Sequence, residues 1–217
     1  MIMDTSLPAG IRADDRLANY DCKKATQALN YLLQKNRGHS LHKVALVKLL
    51  WAADRYHLRT YGRLVSDEPY IAMEKGPVGS MAKDIIYGVT DYGVSEECLP
   101  YISSYIKKDD DTVTSLRNTD TDYLAKTDIE ALDFAWQNFG NLNDTELAEV
   151  SHQYPEWSRY ADPLESKTAK SVPMDLNDFY ADPPQLSDDP FEMDESTKQH
   201  NKDQFFRSRQ ATALLRD

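Results

Sequence analysis

Asp54 and His57 stand three residues apart in the run Lys48-Leu-Leu-Trp-Ala-Ala-Asp-Arg-Tyr-His-Leu58, a spacing at which two helical side chains can touch. A carboxylate that orients an imidazole forms the second and third members of a nucleophilic triad, with His57 as general base. No nucleophile-elbow motif supplies the serine. As metal ligands, Asp54 and His57 would need His42 at a spacing such as His-Glu-x-x-His, and that spacing is absent. Gly76-Pro77, with Gly79 beside it, lacks both the P-loop Lys-Ser/Thr and a full Gly-x-Gly-x-x-Gly, so it reads as a structural turn. The plainer reading of Asp54 and His57 is an intrahelical hydrogen bond tied to neighbouring backbone, since an unpaired polar group in a core costs a few kcal/mol. The sequence therefore implies no catalytic residue, cofactor or metal. An enzyme built on Asp54, His57 or His152 is the least favoured class.

These residues must be positioned by helices. Asp21 is a plausible N-cap for a helix carrying Ala25, Ala28, Leu29, Leu32 and Leu33 at helical spacing and stopping at Gly38. A longer helix is expected from a Ser40 cap to Tyr61, ended by Gly62. At 100° per residue, Leu46, Leu49, Leu50 and Ala53 share an apolar arc that should cross the core, with Asp54 and His57 on the same side. Lys48, Arg55 and Arg59 fall together on the opposite side as a basic stripe. It suits a solvated face, a docking surface for an acidic partner, or a dock for this chain's own acidic segments.

Further along, Glu68 to Glu74 reads as a short extended segment, turned by Gly76-Pro77 into a helix capped by Ser80 and ended by Gly88. Tyr101 to Ile106 and Thr112 to Leu116 alternate with period two across a charged linker, which predicts a hairpin. Thr127 with Glu130 makes a capping box for a helix bearing Ile129, Leu132, Trp136 and Phe139, closed by Gly140. Asn143 with Glu146 makes a second box, with Leu142 and Leu147 as its staple. Pro155 stops that helix, and both Trp136 and Trp157 are expected in the core. The fold class is mainly α (α+β): a compact helical domain over 21–160 with one or two short antiparallel strand elements. A loose arm (1–20) precedes it and an acidic C-terminal extension (161–217) follows.

The 217 residues suffice for one domain with an appendage and need no staple to fold, so Cys22 and Cys98 read as reduced packing residues of a cytoplasmic chain. The start lacks a signal peptide and no run is long enough for a membrane span. A net charge of -11 opposes nonspecific binding to DNA or anionic membrane. The charge is polarised. Residues 21–63 hold nine Lys/Arg against two acids, while 64–160 hold seven against nineteen. Such a chain suits a protein partner. Beyond Tyr160 lie five of the ten prolines and none of the eight glycines. The apolar residues scattered there, Phe179, Tyr180 and Phe191 among them, resemble a recognition stretch that folds on a partner. Residues 196–216 would follow as a helix presenting Phe205, Phe206, Leu214 and Leu215. Equally, the tail could wrap its own domain.

The run from Lys48 to Leu58, followed by Tyr61-Gly62-Arg63, Tyr70-Ile-Ala72 and Gly76-Pro-Val78, resembles the Panacea antitoxin domain, also called SocA-like. Glu146-Leu147, Ser151-His152, Pro155 and Trp157 are similar to that family's closing signature. The resemblance covers about residues 22–160. Trp51-Ala52 departs from an expected pair of aromatics, and Ser151 stands where threonine is more usual. The resemblance implies a mainly helical domain acting as the neutralising half of a bacterial or phage toxin–antitoxin pair, with no established catalytic residues to carry over. The implied partner is a cognate protein toxin encoded next door, held in a homo- or hetero-oligomer. Partner contacts are expected at Phe179, Tyr180, Phe191, Phe205 and Phe206 and at Lys48, Arg55 and Arg59. The alternative is a transcription regulator or protease adaptor of the same family, for which the basic 21–63 segment is the sole support, and nucleic acid enters only through autoregulation.

Overall fold

The computed structural model describes residues 21–184 and 186–214. The expected N-terminal arm and Leu215 lie outside them. Asp21 caps α1 (Cys22–Lys35) as expected, its carboxylate accepting from the Lys23 and Lys24 amides at 2.9 and 3.1 Å. The central helix α2 (Lys43–Tyr61) starts later than Ser40, because Ser40–His42 forms strand β1 and pairs with a downstream strand. Gly62 ends α2 at φ 64°, where a side chain would also meet the Asn201 carbonyl oxygen at 2.8 Å. Leu46, Leu49, Leu50 and Ala53 are buried, so the apolar arc does cross the core.

Strands β2 (Tyr70–Met73) and β3 (Gly76–Gly79) form an antiparallel hairpin that runs directly into α3 (Ser80–Tyr87), ended by Gly88 in the left-handed region. The predicted strand at Tyr101 to Ile106 is corrected: Leu99–Tyr105 is helix α4, with Pro100 in its first turn where a missing N–H costs nothing. Only β4 (Ile106–Lys108) and β5 (Thr112–Ser115) make the hairpin, and β1 joins it in the order β1-β5-β4. Helix α5 (Lys126–Phe139) begins two residues before the predicted box. Its N-cap is Ala125, whose amide donates to the Asp128 carboxylate at 2.8 Å. The Asn143–Glu146 box is present and opens α6 (Asp144–His152), followed by α7 (Pro155–Ser158) with proline at its first position. Trp157 is buried and donates its indole N–H to the Met73 carbonyl at 2.8 Å, whereas Trp136 is only half-buried.

The extension wraps its own domain. After α8 (Ala161–Glu165), strand β6 (Ser171–Pro173) pairs antiparallel with β2, completing a sheet of order β3-β2-β6. A 3-10 turn at Leu176–Tyr180 leads to α9 (Glu195–Leu214), which packs across α2.

The reading of Cys22 and Cys98 as reduced is also corrected. They form a disulfide across 76 positions, with Cα atoms 6.3 Å apart, because α1 begins against the turn that leads into α4. Closing so long a loop restricts the unfolded chain enough to contribute about 4 kcal/mol. Disulfides persist in oxidising compartments and are rare in cytosol, so the bond and the cytoplasmic expectation pull against each other. Among the described residues no helix is long and apolar enough to cross a membrane.

Candidate functional site

Helix α2 carries Lys48, Asp54, Arg55, His57 and Arg59, and every one of these polar side chains is buried. Buried charge must be paired or hydrogen-bonded. The partners of these five therefore define the polar centre of the molecule.

Arg55 and Arg59 meet the chain's own later segments, one of the fates open to the basic stripe. The Arg55 guanidinium pairs with Glu156 of α7 at 2.6 Å and donates to the carbonyls of Phe179 and Ala181 at 3.0 and 2.9 Å. It also lies over the Tyr154 ring, 4.4 Å from the centroid. Arg59 pairs with Asp182 at 2.6 Å and donates to the Phe179 and Phe191 carbonyls at 3.2 and 3.3 Å. Asn201 of α9 returns the contact, its amide donating to the Arg59 and Thr60 carbonyls at the end of α2. Lys198 completes the strap with an ion pair to Asp182. Lys48 meets no acid among the described residues. Its ammonium donates to the Pro77 carbonyl at 2.8 Å, and burial holds it well below the usual lysine range. Gly76 packs on it so closely that an added Cβ would lie 2.6 Å from Nζ and 2.3 Å from the Ser151 hydroxyl.

Asp54 and His57 do not touch as a catalytic pair would require. The Asp54 carboxylate accepts four hydrogen bonds, from the Val65 and Ser66 amides, the Ser66 hydroxyl and the Tyr70 phenol. His57 donates Nδ1–H to the Arg63 carbonyl at 2.7 Å while Nε2 faces Asp128 at 3.4 Å, and burial pulls its pKa down to about 4. The intrahelical bond expected between them is replaced by ties to the loop after α2. His152 stacks on Trp157 with centroids 3.5 Å apart, and burial with the nearby Lys48 charge holds it at about 4. His42 lies apart, against Asp144 at 3.2 Å. Among the described residues no three His, Cys, Asp or Glu side chains are placed to hold a metal ion.

The aromatics expected to face a partner lie mostly inside. Phe179 packs edge-on against Tyr70, and Phe191 sits among Trp51, Phe134, Phe139 and Tyr154. Tyr180 donates to the Leu58 carbonyl at 3.0 Å, and Phe205 is buried beside a half-buried Phe206.

Sequence reasoning missed Glu68. Its carboxyl group sits under the first turn of α3, with Oε2 accepting the Met81 and Ala82 amides at 2.6 and 2.8 Å. Gly79 leaves it room, since a Cβ there would lie 2.5 Å from the carboxyl group. Burial pushes Glu68 from 4.5 up to about 8. The folded chain thus holds a proton that the unfolded chain releases. The stability tied to this proton is full below the ordinary carboxylate range and is lost as pH rises through about 8. Glu68→Gln, which mimics the neutral acid, should gain on the wild type in urea melts taken at about pH 5, 7 and 9. Parallel curves would mean that Glu68 is ionised in the fold.

Comparison with known proteins finds one family. The domain described as "Antitoxin SocA-like, Panacea domain" matches residues 46–158, more than half of the chain. No curated protein and no solved structure matches. The matched span opens within α2 and closes at the end of α7, so it holds the Arg55–Glu156 pair and the Asp54 and Glu68 carboxylates. With that span matched, the chain belongs to the SocA-like antitoxin family with a Panacea domain.

Proposed function

We propose that this chain is the antitoxin of a toxin–antitoxin pair and neutralises a cognate protein toxin by direct contact, covering the toxin's working surface. The family membership carries this reading. Its charge supports it: a net -11 favours rapid association with a toxin whose surface is basic, as one acting on nucleotides or tRNA would be. The buried centre supports it as well, because Asp54 and His57 are committed to holding loops and offer a substrate nothing. A nucleic-acid role has less behind it, since of the nine basic residues in 21–63 Lys48, Arg55 and Arg59 are buried and Lys24, Lys35 and Arg63 are paired with Asp128 or Asp133. The aromatics of the extension serve the complex by fixing its shape, with Phe206 the one that keeps exposed area.

The test is co-expression with the protein encoded by the adjacent open reading frame. The expected result is that the neighbour arrests growth alone, is harmless beside this chain, and co-purifies with it. A neighbour that is harmless alone, or that never binds, overturns direct neutralisation.

A further inference from the structure

One face of the domain combines apolar floor and unpaired positive charge. A groove of about 580 Å³ opens there, floored by Val47 of α2, Met73 and Val78 of the β2–β3 hairpin, Tyr87 of α3 and Leu164 of α8. That volume lies in the range of pockets that take an apolar occupant. Tyr87 is 43% exposed, one of the few large apolar side chains left in water.

The rim reverses the sign of the protein. Lys75, Lys83, Lys167 and Lys170 stand against Glu74 alone, in a chain of net charge -11. Lys83 is engaged, 3.7 Å from Asp91 and over the Tyr87 ring. Lys75, Lys167 and Lys170 are exposed and make no ion pair among the described residues. Three free lysines thus gather round one apolar cleft. Lys167 carries a second signal. It follows α8 at φ 57°, the left-handed position where glycine is the ordinary residue.

The lysines come from separate segments: the β2–β3 turn, α3, and the chain between α8 and β6. Their complement is therefore several carboxylates spread along an apolar body, which a polypeptide supplies and a single anionic headgroup does not. We propose that this groove is the docking site for a segment of the toxin that carries apolar side chains flanked by acidic ones. The proposal rests on the antitoxin reading and names the surface that reading leaves open.

The experiment uses the full chain and the protein of the adjacent reading frame. A zero-length carbodiimide joins lysine amines to carboxylates in contact, and mass spectrometry of the treated complex should find Lys75, Lys167 or Lys170 joined to toxin Asp or Glu residues. The variant Lys75→Glu/Lys167→Glu/Lys170→Glu should raise Kd about tenfold or more, since three rim pairs are lost and their charges reversed. The milder Lys75→Gln/Lys167→Gly/Lys170→Gln removes the charges while easing the backbone at 167. It should keep the melting temperature and still weaken binding. If both variants bind the toxin with unchanged Kd and the cross-links lie elsewhere, the groove proposal falls while the antitoxin reading stands. The groove proposal falls equally if laurate or a second copy of this chain occupies the groove in a way the variants abolish while toxin binding is unchanged. If the unaltered chain neither binds nor rescues, the antitoxin reading falls and takes the groove with it.

Discussion

Replacing Arg55 with methionine lowers the stability of the chain by about 3–5 kcal/mol in a urea melt. The guanidinium is fully buried, and one side chain satisfies a carboxylate and two main-chain carbonyls at once. Methionine fills similar space with no donor. Glu156 is then left in the core with the Trp51 indole at 3.1 Å and no cation, and the Phe179 and Ala181 carbonyls each lose one donor and keep Arg59, at 3.2 and 3.4 Å. Lysine is no substitute, because a point charge cannot reach three acceptors held in the geometry of a planar fork. Adding Glu156→Leu to Arg55→Met should recover the part of the loss that belongs to the stranded charge, since a buried ion pair is often replaceable by apolar residues. The remainder, about 1–3 kcal/mol, belongs to the two lost carbonyl hydrogen bonds. It should appear as faster proteolysis within 161–214 than in the wild type. A single variant within about 1 kcal/mol of wild type would show that the pair does not anchor the extension.

This arrangement marks where the sequence could be read and where it could not. The Asp21 cap, the Gly62 and Gly88 stops and the Asn143–Glu146 box are signals completed within four residues, and each lies where expected. The apolar arc of α2 is equally local. The fate of its polar side is not. Lys48, Arg55 and Arg59 share a stripe that any solvated helix can show, and their acceptors at Pro77, Glu156, Phe179 and Asp182 lie from 29 to more than a hundred positions downstream. Glu68 reaches a helix thirteen residues away, so no capping-box spacing reveals it. The Cys22–Cys98 bond spans 76 positions with no motif around either cysteine. Tyr101 to Ile106 misled for a different reason: a run of six residues can be fitted to a period of two by chance, and Pro100 as a helix opener was the better signal. The groove lysines were invisible because only the fold brings 75, 83, 167 and 170 to one rim.

Asp54→Ala should cost at least about 4 kcal/mol, a loss of the same order as that at Arg55, and Asp54→Asn about 2–4 kcal/mol. Oδ1 accepts the Val65 and Ser66 amides at 2.6 and 3.1 Å, and Oδ2 accepts the Tyr70 phenol at 2.7 Å together with the Ser66 hydroxyl. Alanine leaves all four donors in a dry core. Asparagine keeps the volume and one acceptor oxygen, and the two hydroxyls can turn to accept from its amide nitrogen, so its loss is smaller. Burial raises the Asp54 carboxyl above its ordinary range while the four donors pull it back, so removing the charge at this position also relieves a desolvated anion beside Glu68. Both effects concern the path of the chain from α2 into β2, which places the hairpin under the groove. Folded Asp54→Asn protein should therefore neutralise the toxin as wild type does, in growth rescue and in Kd. Loss of neutralisation in a variant whose melt and circular dichroism remain near wild type would return Asp54 to a direct role in function, which its turn away from His57 argues against.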